Sequence, residues 1–273
     1  MALFFMTQLI PEIKPQQSLE LLKELHILTR DGKLNQDTRR KLKQVYHLYQ
    51  FIEPLLTPES TLVDMGAGKS YLGFILFDLF FKEKRSGAVI GIESRRELVE
   101  KSEALAKKLA FTGMRFLPHT VAEAMDTTDI PAEVDVVTAL HACDTATDDA
   151  ISFALKRKAK HLVLVPCCQA EVASHLRKLK GPSLATNVLT EIWRHPLHTR
   201  EFGSHITNVL RCLKLEAHGY QVRVTELVGW EHSMKNELII ATFKDLPRRH
   251  PQERLEKMLQ ELNLEDLKFR FAE

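Results

Sequence analysis

The glycine-rich stretch of this chain reads Thr61-Leu62-Val63-Asp64-Met65-Gly66-Ala67-Gly68-Lys69-Ser70-Tyr71. Its first half is apolar and β-branched, as in a buried strand, and its glycines favour a tight turn that opens a helix. A second strand-like run, residues 88–92, is followed directly by Glu93. Because ligands of open α/β sheets bind beyond the carboxyl ends of the strands, both segments point to a ligand site at one sheet edge.

The rest of the chain alternates between short β-rich runs and helical stretches. We expect strands at residues 61–65, 88–92, 114–117, 134–140, 161–165, 220–227 and 237–243. This order predicts an α/β fold with a doubly wound, mostly parallel sheet. Only nine residues join the last two strands, which predicts a terminal antiparallel hairpin. Seven strands in this pattern are typical of the Rossmann-like class I methyltransferase sheet.

The domain organisation follows from the same pattern. Residues 1–58 are expected to form a helical N-terminal extension, and residues 59–246 the main domain, with an insertion at 181–205. Residues 247–273 should contain an amphipathic C-terminal helix, because its apolar residues follow the i, i+3, i+4, i+7 spacing: Leu255, Met258, Leu259 and Leu262.

Three ligands are compatible with a glycine turn of this kind. A Walker A loop needs a glycine five positions before Gly68, where this chain has Val63. A dinucleotide fingerprint needs a third glycine at Tyr71, and Asp64 would face a pyrophosphate with like charge. S-adenosylmethionine carries a cationic sulfonium and an amino group, which tolerate the carboxylate. The turn therefore favours S-adenosylmethionine.

A second acid supports this interpretation. Glu93 is placed to accept hydrogen bonds from both ribose hydroxyls of such a ligand. The alternative is that Asp64 only caps the following helix and that Glu93 is a surface acid. The expected cofactor-binding residues are Asp64, Gly66, Gly68, Tyr71, Glu93, Ser94, Thr120, Leu140 and His141.

Three motifs together resemble a known methyltransferase family. They are the glycine stretch, His141-Ala142-Cys143-Asp144-Thr145-Ala146-Thr147-Asp148 and Pro166-Cys167-Cys168. The chain is similar to the methyltransferase domain of eukaryotic methyltransferase-like proteins and of glutathione S-transferase C-terminal-domain proteins. It also resembles the catalytic domain of tRNA 2′-O-methyltransferases that act on the acceptor stem. The eukaryotic relatives usually have glycine at the position of Asp144, and often histidines where this chain has Gln169 and Ala170.

The loops after strands four and five supply the candidate catalytic residues His141, Asp144 and Cys167. His141 suits a general base, with Asp144 orienting it, although a purely architectural role is equally compatible. Cys143 and Cys167 could instead form a covalent adduct with a pyrimidine, or be inert packing residues. The same histidine and cysteines, with Cys168, are chemically suited to zinc, but without a C-x-x-C spacing we expect no metal.

Composition and charge limit the remaining possibilities. The 273 residues are 44% hydrophobic and 27% charged. We expect neither a signal peptide nor a membrane span, and the four cysteines suit a reducing cytoplasm. Residues 116–155 contain eight acids and no Lys or Arg, whereas residues 156–214 contain eleven basic residues and three acids. We call these the acidic and basic blocks. The basic block predicts RNA as the partner, unless its charges only solvate helices. Alternatives are a small-molecule or protein methyltransferase, or a non-catalytic binding module.

Overall fold

The sheet of this protein is built from seven strands. The computed structural model describes residues 10–83, 86–140, 142, 144–166, 170–178, 190–227, 237–245 and 250–272. Within them the strands are β1 (Thr61–Met65), β2 (Ala88–Ile92), β3 (Met114–Leu117), β4 (Val136–Ala139), β5 (His161–Leu164), β6 (Tyr220–Glu226) and β7 (Glu237–Phe243). Four of the seven begin and end at the predicted residues.

The strand order confirms the predicted fold class. The order is β3-β2-β1-β4-β5-β7-β6, in which the first five strands run parallel. β7 lies between β5 and β6 and is antiparallel to both, so the predicted terminal hairpin is present. Successive strands are added on one side of β1 up to β3 and on its other side from β4 onward, so the carboxyl ends of β1, β2 and β4 meet at one crevice.

Helices connect and cover the strands. They are α1 (Leu19–Glu24), α2 (Gln36–Ile52), α3 (Tyr71–Leu76), α4 (Arg96–Lys108), α5 (Ala146–Lys156), α6 (Glu171–Lys178), α7 (Thr190–Trp193), α8 (Pro196–Ala217), α9 (Pro251–Glu261) and α10 (Lys268–Phe271). A π-helical turn over Phe77–Phe81 continues α3. Asn35 caps α2 through a capping box with Thr38, which fixes where this helix begins.

Alternation along the strands divides the core between the two faces of the sheet. In β1, Leu62 joins a cluster with α1, α2 and the phenylalanines of α3 and of the π-helical turn, whereas Val63 joins a cluster with α5 on the opposite face. The predicted helical segment within residues 10–58 thus packs directly on the sheet. A third cluster joins α6 and α8 to the C-terminal residues Leu255 and Leu259.

The region of the predicted insertion at 181–205 differs from the expectation. Its first part, up to residue 189, lies outside the described residues, but residues 196–205 form the first turns of α8. Pro196 occupies the first position of that helix, where its missing N–H costs no hydrogen bond. The C-terminal helix α9 is present as predicted, and a short turn and α10 follow it.

Candidate functional site

The glycine turn lies at the carboxyl end of β1. Gly66 and Gly68 have φ values of +66° and +59°, in the left-handed region that favours glycine. The N–H of Ala67, between them, donates to the carbonyl oxygen of Ile92 at 2.8 Å, and this bond ties the turn to the end of β2. The turn is therefore held against the neighbouring strand before any ligand arrives.

Asp64 is the fourth residue of β1, two positions before Gly66. Its side chain is only 3% exposed, and its Oδ1 accepts a hydrogen bond of 2.7 Å from the hydroxyl of Thr138 on β4. Burial raises the pKa of Asp64 to about 7, and the Thr138 hydroxyl offsets this only in part. Near neutral pH the protonated and ionised forms of Asp64 therefore coexist, and a cation that binds beside the carboxyl group favours the ionised form.

Glu93, one residue beyond β2, is also buried, with 7% of its surface exposed. The backbone N–H of Gly68 donates to its Oε2 at 2.8 Å, and the backbone N–H and Nε of Arg95 donate to its Oε1, both at 2.9 Å. Burial alone would raise the pKa of Glu93, but these hydrogen bonds and the charge of Arg95 outweigh it and lower the pKa below its ordinary value. Near neutral pH Glu93 is therefore ionised, whereas Asp64 can gain or lose a proton.

The space around the two acids fits S-adenosylmethionine. A Cβ added at Gly68 would lie 4.0 Å from Oε2 of Glu93, so a side chain there would fill the space beside this carboxylate. A Cβ added at Gly66 would lie 3.5 Å from the backbone of Ala142 in the loop after β4. Glycine at both positions leaves room beside the turn, where ribose hydroxyls and a cationic sulfonium or amino group need acceptors and negative charge.

The other predicted cofactor residues lie around this edge with different surroundings. Ser94 is exposed, and its hydroxyl lies 3.5 Å from Oε1 of Glu93. Tyr71 is the first residue of α3, and Nζ of Lys41 lies 3.4 Å from its ring centroid. Leu140 follows β4 and packs against the core. Thr120 follows β3, but its N–H and hydroxyl both donate to Glu123, so it caps a short turn.

The loops after β4 and β5 are described in part. His141, Cys143, Cys167 and Cys168 lie outside the described residues. Asp144 has a φ of +52°, in the left-handed region that favours glycine. Its Oδ1 accepts a hydrogen bond of 2.9 Å from the N–H of Ala170 and so joins the β4 loop to the start of α6. Asp144 therefore has a clear structural contact.

A buried arginine, which the sequence does not distinguish from surface cations, holds this loop. Arg211 on α8 is 1% exposed, and its Nε and Nη2 donate to the two carboxylate oxygens of Asp148 at 2.8 and 2.7 Å. Nη2 also donates to the carbonyl oxygen of Asp144 at 2.8 Å, and Nη1 to Asn208 at 3.2 Å. The contact with the Asp144 carbonyl fixes the backbone where the β4 loop enters α5.

The acidic and basic blocks pair with each other in three dimensions. Among the described residues, four ion pairs join them: Lys156 with Asp126 at 2.6 Å, Lys158 with Glu133 at 3.4 Å, Lys160 with Asp135 at 2.7 Å, and Arg211 with Asp148 at 2.7 Å. Within the basic block, Arg194 and Arg200 pair with Glu191 and Glu201. Lys214 is buried, and its Nζ donates to the carbonyl oxygen of Arg270 at 2.8 Å. Much of the positive charge of the basic block is therefore balanced by acidic residues of the same chain.

A comparison with protein families identifies the domain that carries this site. The family model described as "Methyltransferase domain" matches residues 40–175, which include the glycine turn, both buried acids and the loops after β4 and β5. Residues 40–175 are a methyltransferase domain. The cofactor of this methyltransferase domain is S-adenosylmethionine, in agreement with the prediction from the sequence.

Curated relatives and solved structures are similar to the chain at low identity. A glutathione S-transferase C-terminal domain-containing protein homolog of Drosophila melanogaster is 24% identical over 225 residues, which are 75% of this chain and 37% of that protein. The Bos taurus protein of that name is 23% identical over 77% of this chain and 34% of its own length. The chain thus spans about a third of these relatives. A SAH-bound methyltransferase of Podospora anserina has a TM-score of 0.49 and 10% identity, with 84% of this chain and 89% of that chain covered.

Neither a metal site nor a membrane-spanning helix is found in the part of the chain that the structure describes. Among the described residues, no group of three or more His, Cys, Asp and Glu side chains is arranged to hold a metal ion. The predicted alternative of a zinc site at His141, Cys143, Cys167 and Cys168 falls on residues outside that part of the chain. In the same described portion, no helix is both long and apolar enough to cross a bilayer.

Proposed function

We propose that the protein transfers the methyl group of S-adenosylmethionine to RNA, and that Asp64 and Glu93 hold the cofactor. The observation that carries the proposal is the pair of buried carboxyl groups near the ends of the neighbouring strands β1 and β2, beside a turn that has glycine at Gly66 and Gly68. A methylation assay with labelled S-adenosylmethionine and total RNA tests it. Label in RNA is expected, and label only in protein or small molecules would reject RNA as the substrate.

In this proposal the residues of the site have distinct roles. Bound S-adenosylmethionine supplies an electrophilic methyl group. Glu93 accepts hydrogen bonds from the ribose hydroxyls, and Asp64 provides negative charge near the cationic end of the cofactor. His141 takes the proton of an attacking hydroxyl, while Asp144 shapes the loop through its bond to Ala170. The cytoplasm, expected from the cysteine content, is the proposed location.

Substitution of Asp64 by asparagine should remove a pH dependence of cofactor binding. Because the pKa of Asp64 is raised to about 7, a cation that binds beside it must displace a proton at lower pH. Affinity of the wild type should therefore rise by up to about tenfold per pH unit on approach to pH 7, and level off above it. Calorimetric titrations between pH 5.5 and 8.5 in buffers of different ionisation enthalpy measure this linkage.

The ligand's own amino group titrates in both proteins, so the difference between wild type and Asp64→Asn isolates the buried carboxyl group. Thr138→Val serves as a matched variant. It removes the hydroxyl that lowers the pKa of Asp64 and should shift the wild-type profile to higher pH. Identical pH profiles for all three proteins would show that Asp64 does not face the cationic part of the cofactor.

A lysine-lined cleft beside the glycine turn supports the RNA part of the proposal. This cleft has a volume of about 460 Å³, lies between α1, α3 and α4, and is lined by Lys69, Lys101 and Lys108. Lys108 pairs with Glu24 at 2.6 Å. Lys69 and Lys101 are exposed, and neither forms an ion pair with any residue that the structure describes. The cleft therefore offers two available cations close to the cofactor edge, unlike most of the basic block.

Removal of these two charges should weaken RNA binding. In the double variant Lys69→Gln/Lys101→Gln, the logarithmic slope of affinity against salt should become shallower by about 1.4, since each phosphate contact to a single strand contributes about 0.7. Fluorescence anisotropy with a labelled RNA at several salt concentrations measures this slope. The control Lys156→Gln/Lys158→Gln removes two cations that already pair with acids. An equal or larger effect of the control would place RNA on the basic block instead.

A further inference from the structure

Arg95 covers the carboxylate that the proposed cofactor site needs. Besides the hydrogen bond of its backbone N–H, its Nε donates to Oε1 of Glu93 at 2.9 Å, and its Nη2 donates to Oε2 at 3.2 Å. The guanidinium also lies beside the glycine turn, because a Cβ at Gly68 would be 3.9 Å from Nη2. It therefore occupies the space through which a ligand would approach this carboxylate.

The hydrogen bonds to Glu93 fall into two groups. A carboxylate offers about four acceptor positions, and four N–H donors lie within 3.2 Å of the Glu93 oxygens, with the Ser94 hydroxyl farther away at 3.5 Å. Two of these donors are backbone N–H groups, of Gly68 and Arg95, and they are fixed by the fold. The other two belong to the Arg95 side chain, which is 62% exposed and can rotate into solvent. The Arg95 side chain thus provides two hydrogen bonds that a ligand can replace, the same number as the hydroxyls of a ribose.

We propose that Arg95 is a reversible cover on Glu93, which is released only when a ribose diol replaces its two side-chain hydrogen bonds. This inference rests on the proposed cofactor site. It makes Arg95 a specificity-determining residue, because a ligand without both hydroxyls leaves Glu93 paired with the guanidinium. The guanidinium is 62% exposed and returns to water when it is released, so the cover lowers the affinity for adenosine-type ligands by only about two- to fivefold.

Adenosine is the probe that tests this cover, since it carries the diol and no charge. Calorimetric titration should show about two- to fivefold tighter binding of adenosine to Arg95→Gln than to wild type. Binding of 2′,3′-dideoxyadenosine should be the same for both proteins. The control Arg96→Gln removes the next cation of the same helix, for which no contact with Glu93 is recorded in the described structure, and should bind adenosine like wild type.

A second pair of variants ties the effect to Glu93. In a Glu93→Ala background, Arg95→Gln should no longer change adenosine affinity, because the cover has no carboxylate to pair with. Unchanged or weaker adenosine binding by Arg95→Gln, or an equal gain in the Glu93→Ala background, would overturn the proposed cover and leave the cofactor site intact. If neither adenosine nor S-adenosylmethionine binds to any variant or to wild type, both the cover and the site are rejected.

Discussion

Replacement of Arg211 by alanine should lower the free energy of unfolding by about 3–5 kcal/mol, the usual cost of removing one partner from a buried ion pair. The loss is large because Asp148, only 5% exposed, would keep a buried charge without its bidentate partner. The carbonyl oxygen of Asp144 would lose a hydrogen bond as well. Urea denaturation followed by circular dichroism measures this change against wild type.

Two further variants test the cause of the Arg211 effect. Arg200→Ala removes an exposed arginine of the same helix, which pairs with the adjacent Glu201, and should change the free energy of unfolding by less than about 1 kcal/mol. The double variant Arg211→Met/Asp148→Leu leaves no unpaired charge and should be more stable than Arg211→Ala. If Arg211→Ala is as stable as Arg200→Ala, the buried ion pair does not hold α8 against α5 and the β4 loop.

Replacement of Glu93 by alanine should weaken S-adenosylmethionine binding by about 100-fold. Two hydrogen bonds from ribose hydroxyls to a carboxylate contribute about 3 kcal/mol together, which corresponds to that factor. The lowered pKa of Glu93 means that this carboxylate is ionised at every pH at which the protein is assayed near neutrality. Isothermal titration calorimetry at pH 7.5 measures the affinity directly.

Glu93→Ala also removes the acceptor of the Gly68 N–H, so the stability of this variant must be measured in parallel. The matched control is Glu97→Ala, which removes an exposed acid from the first turn of α4 and should bind the cofactor like wild type. A folded Glu93→Ala protein with wild-type affinity would show that the ribose does not meet this carboxylate.

Local sequence patterns predict most of the sheet because each strand is a short apolar run bounded by turn residues. The hairpin of β6 and β7 follows from the short link between them, and the paired acids follow from strands that end side by side. The predicted fourth strand is two residues too long at its start. Val134 bonds through its N–H and its carbonyl oxygen to Arg157 and Lys160, and not to a neighbouring strand of the sheet.

Contacts between distant residues could not be predicted in this way. Arg211 has the same charge in the sequence as the exposed Arg200, and its partner Asp148 is 63 positions away. Thr138 lies beside Asp64 only because β4 pairs with β1. The number of basic residues counted along the sequence also overestimates the positive charge that is free to bind RNA. Several of these residues pair with acids of the acidic block, which lie far from them in sequence.

The structure of a complex with S-adenosylhomocysteine is the most direct test of the two-acid site. The ribose oxygens should lie about 3 Å from the carboxylate of Glu93, with the Arg95 side chain turned away and the amino acid part of the ligand near Asp64. A complex in which the ligand lies elsewhere, while Arg95 still pairs with Glu93, would contradict this site.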